Sequence, residues 1–212
     1  MTPLVLVGGG GHASDVLQAI EAINAVHATF AVLGLLDDGA VDPRRFAGRD
    51  VAHLGPVAQL PQLDAVYVLA AGWPATRRAL ADRIGTQGTV APPIVHPTAD
   101  VGAGVELAPG CVVLSGAHLS PMVRLGPHGL VSYGATIGHD ATFGAFASVL
   151  PNAAVSGDVT AGDDVLVGTG ASVLQGIHLA DRAQIGAGAA VVHDVAEGIT
   201  VVGVPARPTS AS

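Results

Sequence analysis

Two neighbouring residues, His139 and Asp140, interrupt the stretch YGATIGHDATFGAFAS at 133–148, where small side chains dominate and an apolar residue recurs at every sixth place. An imidazole with an unperturbed pKa near 6.5 accepts a proton at neutral pH without a large environmental shift. A carboxylate beside it can orient the ring and stabilise imidazolium. The pair therefore has the composition of a general base and its orienter, suited to an amine or hydroxyl that attacks a thioester. Successive side chains of a strand point to opposite faces, so Asp140 meets the ring only if the backbone turns between them. A second copy of the dipeptide, His193–Asp194, occurs in VHDVA.

A second grouping lies near the start of the chain. VLVGGGGHASDV reads as strand, glycine run and helix, and Gly8, Gly10 and Ala13 satisfy a G-x-G-x-x-A spacing that admits phosphate to a helix N-terminus. Asp37 and Asp38 end the next strand in GLLDDG. That is the carboxyl edge where such sheets bind ligands, and the two side chains can accept hydrogen bonds from ribose hydroxyls or a base.

Positioning these groups requires two architectures with different rhythms. Over residues 1–92, PLVLVGG, FAVLGLLDD and DAVYVLAAG read as buried strands, and HASDVLQAIEAINA and PATRRALADRIGTQG as helices, the first with Val16, Leu17, Ile20 and Ile23 along one face. Strands alternating with helices predict a Rossmann-like α/β domain of βαβ units on a parallel sheet. Three strands make one mononucleotide half, so the glycine loop implies a nucleotide and not NAD. TVAPPIVHP, with three prolines, reads as the linker.

From Val95 the rhythm becomes six. Val95, Val101, Leu107 and every sixth residue through Val191 are apolar without an insertion. The residue four places on is again small or apolar, as at Ala99, Val105, Cys111 and Ala117, and the residue directly after is often glycine, as at 126, 138 and 144. A fixed hexapeptide period marks a parallel β-helix over residues 93–212. One six-residue side buries about 1.5–3 kcal/mol of Val or Leu, too little to order alone, so stability comes from stacked coils. Glycines and small residues are expected to turn the three corners of each coil.

Composition narrows the chemistry. A net charge of −8 without a basic run argues against nucleic acid. All nine basic residues are arginine, so no lysine Schiff base or lysine-type phosphate loop is available. One cysteine, Cys111, permits no internal disulfide, and the short apolar start fits neither a membrane span nor a secretion signal. A soluble, cytoplasmic protein is expected. No short histidine pair has ligand spacing, so no metal is expected.

The run VGTGASVLQGIHLADRAQIGAGAAVVHDVAEGITVVGVPAR resembles the left-handed β-helix of hexapeptide-repeat acyltransferases, which usually form trimers with active sites between subunits. SYGATIGHDATFGAFASVLPNAAVSGDVTAGDDVLVGTGASV is similar to the sialic acid O-acetyltransferase family of sugar O- and N-acetyltransferases. The resemblance implies His139 as general base with Asp140 raising its basicity, and acetyl-CoA as co-substrate. Gly157 lies eighteen residues beyond His139, and its N–H can face the thioester carbonyl; it joins Ser148, Thr169 and Ala187 as the coenzyme-contacting set. The family's nucleotide-sugar pattern maps onto Gly10, Gly11, His12, Asp37, Asp38 and Gly72. Departures fall at Ser132, Ser148 and Trp73, where family members often carry asparagine, histidine and asparagine. Trp73 either stacks on a base or sugar or packs beneath its loop, with packing favoured. Arg182 and Arg207 are the candidates for coenzyme phosphates.

These features imply direct acetyl transfer within a homotrimer to the amine of a nucleotide-linked amino sugar. Cys111 falls in an inward column and makes a poor covalent carrier. The rivals are sugar O-acetylation of the sialic acid type and a non-catalytic trimeric scaffold.

Overall fold

The computed structural model describes residues 1–209. Its first part is a five-stranded, wholly parallel sheet. β1 (Thr2–Val7), β2 (Phe30–Leu36), β3 (His53–Gly55), β4 (Val66–Leu69) and β5 (Thr89–Val90) are ordered β3-β2-β1-β4-β5, with helices α1 (Gly11–Val26) and α2 (Pro74–Ile84). β1 explains its own apolar run: Leu4 and Leu6 join a core with α1, while Val5 and Val7 join another with Ile84 of α2. A central parallel strand buried on both sides has no polar face to show.

Two strands were not anticipated. β3 and β5 are three and two residues long at the sheet edges, too short to print a periodic pattern. β5 also corrects the reading of TVAPPIVHP as a plain linker. Thr89–Val90 pairs with β4 and Ile94–Val95 is already the first rung of the next architecture, so two of the three prolines, Pro92 and Pro93, occupy the joint between them. Ala91 binds both parts, its N–H donating to Tyr67 O and its carbonyl accepting from Gly110 N, each at 2.8 Å.

The second part is a three-faced parallel β-helix of two-residue rungs, each paired with the rung eighteen residues away. The first face runs from Asp100–Val101 to Ala190–Val191, the second from Glu106–Leu107 to His178–Leu179, and the third from Ile94–Val95 to Gln184–Ile185. On the third face Thr200–Val202 adds one more strand, and Arg207–Pro208 closes it antiparallel. The sixth-place residues and those four places on fill the interior, with Cys111, Val113, Ala117 and Leu119 among those buried.

The glycines serve a different purpose from the one expected. Those directly after each interior residue do not turn the corners; a Cβ at Gly126, Gly138 or Gly168 would stand 2.4–2.6 Å from the backbone of the next coil. They permit coils to stack. The corners turn two residues later, in the left-handed region, and eight of those positions are not glycine, including Asp140 (φ 59°), Asn152 and Asp158 (φ 58°). Asp and Asn tolerate this conformation better than most residues.

The α/β part covers the third face. α1 packs Ala13, Val16 and Ile20 against Val112, Leu114 and Leu130. α2 covers the corner between the second and third faces through Arg77, which is 2% exposed and, among the described residues, forms no ion pair with a carboxylate. Its guanidinium donates to the carbonyls of Ala71, Gly72, His128 and Phe146 and to Ser148 Oγ at 2.6–3.0 Å. Burial brings its pKa down to about 10, so it remains charged at neutral pH. Beside it, His128 stacks between Tyr67 and Phe146, and Arg78 lies 4.5 Å over the Phe146 ring while pairing with Asp163 and Asp164.

Candidate active site and nucleotide cavity

His139 and Asp140 form the corner between the first and second faces. Because Asp140 takes a positive φ, its side chain turns back instead of alternating away, and its Oδ2 lies 2.8 Å from His139 Nδ1. Both side chains are exposed. The hydrogen bond to Asp140 is the leading cause that raises the His139 pKa above its ordinary value, with the charge of Asp158 contributing. The ring lies beneath Gly157: a Cβ there would stand 2.6 Å from Nε2 and 2.7 Å from Cε1. A Cβ at Gly138 would stand 2.4 Å from Gly157 N. Two bare positions thus leave room for the imidazole and for the Gly157 amide beside it.

Asp158 was missed by the sequence reading. It occupies the corner one coil beyond Asp140, donates its N–H to His139 O at 2.9 Å, and accepts from Gln175 Nε2 at 2.9 Å. The eighteen-residue step that leads from His139 to Gly157 leads equally from Asp140 to Asp158. A ring nitrogen of His139 and one carboxylate oxygen from each aspartate lie within 4.8 Å of one another. These are the three groups, among the described residues, with the spacing to hold a metal ion.

The second centre is a cavity of about 560 Å³ at the carboxyl edge of the sheet. Gly10, Gly11, His12, Asp37, Asp38 and Gly72 all line it. Gly8 requires φ +112°, which favours glycine, whereas a Cβ at Gly10 or Gly11 would meet nothing within 4 Å. Packing therefore does not demand glycine at the start of α1, and no side chain caps that helix. Ala13 N–H donates to Gly10 O at 3.1 Å, which leaves the preceding amides of the first turn for an anion. Asp37 organises the loop by accepting from Gly9 N and Gly39 N, both at 2.7 Å. Asp38 accepts from Val57 N and pairs with Arg83, and the Arg83 hydrogen bond holds its carboxyl below the usual range. Both aspartates hold protein partners while lining the cavity.

Trp73 does not pack beneath its loop. It is 60% exposed and lines both this cavity and a neighbouring one of about 370 Å³, which also reaches Arg78 and Arg182.

The expected coenzyme contacts are not brought together within one chain. Gly157 joins His139. Thr169 and Ala187 stack one above the other on the corner between the third and first faces, both exposed. Ser148 is 1% exposed; its hydroxyl accepts from Arg77 and donates to Gly72 O, so its place is in the joint with the α/β part and not on an open coenzyme surface. Arg182 pairs with Glu197, and Arg207 lines a further cavity of about 360 Å³ at the end of the coils, with His193 and Asp194. Burial pushes the Cys111 thiol up to about 11, unsuited to a nucleophile.

No family model matches the chain, and none of the curated proteins matches it by sequence. Solved structures do. Perosamine N-acetyltransferase from Caulobacter crescentus, in complex with CoA and GDP-perosamine, aligns at TM-score 0.89 and 27% identity over 100% of this chain and 98% of that one. The acetyltransferase domain of PglB from Neisseria gonorrhoeae aligns at 0.86 and 27% over 99% and 100%. Over its whole length this chain is thus similar to hexapeptide-repeat nucleotide-amino-sugar N-acetyltransferases. This chain also shares its fold with WeeI from Acinetobacter baumannii AYE, at TM-score 0.83 and 20% identity over 99% and 100%. Its coil is accordingly the left-handed β-helix, an exception to the right-handed crossover rule. Among the described residues, no helix is long and apolar enough to cross a membrane.

Proposed function

We propose that the protein transfers acetyl from acetyl-CoA to the amine of a UDP- or GDP-linked amino sugar, with His139 as general base. The observation that carries the assignment of roles is the corner itself. His139 is held through Nδ1 by Asp140, and its Nε2 lies next to the bare face of Gly157. Held in this way, Nε2 takes the proton from the amine as the nitrogen adds to the thioester carbonyl. The Gly157 N–H donates to the developing oxyanion. The tetrahedral adduct collapses to the amide, and the proton on Nε2 passes to the departing coenzyme sulfur.

The α/β part supplies the handle. Phosphates of the nucleotide approach Gly10, Gly11 and the first turn of α1, while His12, Asp37, Asp38 and Gly72 shape the cavity around the nucleoside and sugar. Within one chain this part covers the third face, whereas His139 occupies the opposite corner. A sugar anchored in one cavity therefore meets the imidazole of another copy. Thr169 and Ala187, on a different corner from His139, come beside it in the same way. A cytoplasmic homotrimer with three such seams satisfies both requirements.

An acetyl-CoA assay against a panel of UDP- and GDP-linked 4-amino sugars tests the reading. Turnover of one member, lost in His139→Ala with the oligomer intact, is the expected result. Wild-type turnover by His139→Ala would remove the assigned base.

A further inference from the structure

Trp73 is the sole tryptophan of the chain and the largest apolar side chain left exposed among the described residues, at 60%. Tryptophan is ordinarily well covered, because few side chains bury as much surface. The backbone beneath this one is nonetheless fixed. Trp73 occupies the cap position of α2, directly ahead of Pro74, whose ring sets the first helical φ. Its carbonyl accepts from Arg77 N at 3.1 Å, and the buried Arg77 guanidinium holds the carbonyls of the two residues before it, Ala71 and Gly72. An exposed aromatic on a braced backbone is organised in advance for a ligand, so little ordering cost remains to be met on binding.

Its position relative to the phosphate site selects which part of a ligand it meets. Val7 pairs with Leu36 on one side and with Leu69 on the other. The glycine loop that follows Val7 is therefore flanked by Asp37 and Asp38 beyond β2 and by Gly72 and Trp73 beyond β4. A Cβ on Gly72 would stand 3.9 Å from His12 Cβ, which sets Trp73 one residue away from the first turn of α1. A nucleotide sugar with its diphosphate at that turn sends its nucleoside to one flank and its hexose to the other. Carboxylate oxygens on the Asp37 flank suit the donors of a ribose or base. The Trp73 flank presents a flat apolar face, and it continues into the cavity of about 370 Å³ bounded by α2 and by Leu166 and Gln184 of the third face. That surface matches the C–H face of a pyranose ring.

Resting on the nucleotide-sugar reading above, we infer that Trp73 is the platform on which the amino-sugar ring stacks, and that it sets affinity for the sugar and not for the nucleotide. The C–H face of the ring lies on the indole, which leaves the amine and hydroxyls at the ring edge free. An asparagine at this place, as in the family that the sequence resembles, would offer directed hydrogen bonds to hydroxyls. The indole exchanges these for apolar contact area and so reads the shape of the ring. Trp73 acts in binding and takes no part in proton transfer.

The test titrates the full chain with UDP, GDP and their 4-amino-sugar conjugates in the absence of acetyl-CoA. With a single indole in the chain, tryptophan emission of wild type reports on Trp73 alone. The conjugates should move that emission to shorter wavelength as the ring displaces water, whereas UDP or GDP should leave it unchanged. By calorimetry, Trp73→Ala should weaken the conjugate about tenfold and leave the nucleoside diphosphate within about twofold, and Trp73→Phe should recover most of the loss. An equal loss on conjugate and nucleoside diphosphate overturns the assignment, because the base and not the sugar then lies on the indole. No loss on either overturns it as well. So does a Trp73→Ala chain whose oligomeric state differs in sedimentation, since the indole would then be a contact between copies. A wild type that binds the conjugates and acetylates none refutes the function reading, while the same titrations still decide the role of Trp73. A wild type that binds no conjugate overturns both.

Discussion

The imidazole of His139 fills the space that a side chain on Gly157 would claim, its Nε2 standing 2.6 Å from the position of that missing β-carbon. One residue supplies the proposed base and the next coil supplies the opening that its ring occupies.

Gly157→Ala should therefore inactivate without unfolding. The backbone at Gly157 does not need a positive φ, so alanine fits the chain. The methyl drives the ring aside and breaks its bond to Asp140. Acetyl transfer should fall by about 10²-fold or more, toward the loss expected for the base itself. Circular dichroism and thermal midpoint should stay near wild type. A Gly157→Ala enzyme with full activity would show that the ring does not work from this position.

Asp140 should set the acid limb of the rate profile. His139 acts as a base only when neutral, and Asp140 raises its pKa above 6.5. The kcat/KM of wild type should consequently rise with pH through a midpoint above that value. In Asp140→Asn the midpoint should move down toward 6.5, with a lower plateau because the ring is less basic and less well oriented. A midpoint that stays put would assign the limb to another group.

Arg77 should be a stability residue that also tunes the substrate cavity. Removing it leaves the carbonyls of His128 and Phe146 and the hydroxyl of Ser148 buried without their donor. Arg77→Met should cost about 2–4 kcal/mol in denaturant unfolding. Because the same guanidinium holds Ala71 O and Gly72 O, nucleotide affinity should weaken as well. An unchanged unfolding midpoint would contradict the contacts described.

His128 predicts an acid-sensitive joint. Burial, reinforced by Arg77, lowers its pKa to about 4, so it stays neutral in the fold while the unfolded chain takes up a proton near 6.5. The stability of its neutral form is complete above pH 6.5 and declines as pH falls from about 6.5 toward 4, by about 1.4 kcal/mol per pH unit where the difference is one proton. His128→Asn lacks this component, so the stability gap between wild type and variant should shift against wild type on going from pH 7 to pH 5. A constant gap over that range would refute it.

The coil was legible because its physics is periodic. Every interior position repeats an environment, so Val95 to Val191 print the same signal at each step. The base pair was legible in residue type, but its geometry depended on the left-handed turn at Asp140, which no periodicity in side-chain size reveals. Arg77 escaped notice because an arginine on a helix ordinarily faces water; only the packing of α2 over the corner at His128 and Phe146 buries it. Ser148 was misread for the complementary reason. Its alternation in the strand correctly turns it outward, but outward on the third face means toward α2 and not toward solvent. The repeating sequence specifies the prism, while the choice of which face is covered comes from a non-repeating partner.

The strand Arg207–Pro208, which reverses direction against Val201 and Val202, has a further consequence. Rungs of uniform pitch are an open-ended template, on which coils from other molecules could continue to polymerise. A terminal ribbon running the wrong way, with an imino acid that offers no amide proton, ends propagation on that side. The protein can thus carry a fibre-like lattice of backbone bonds and still remain a particle of finite length.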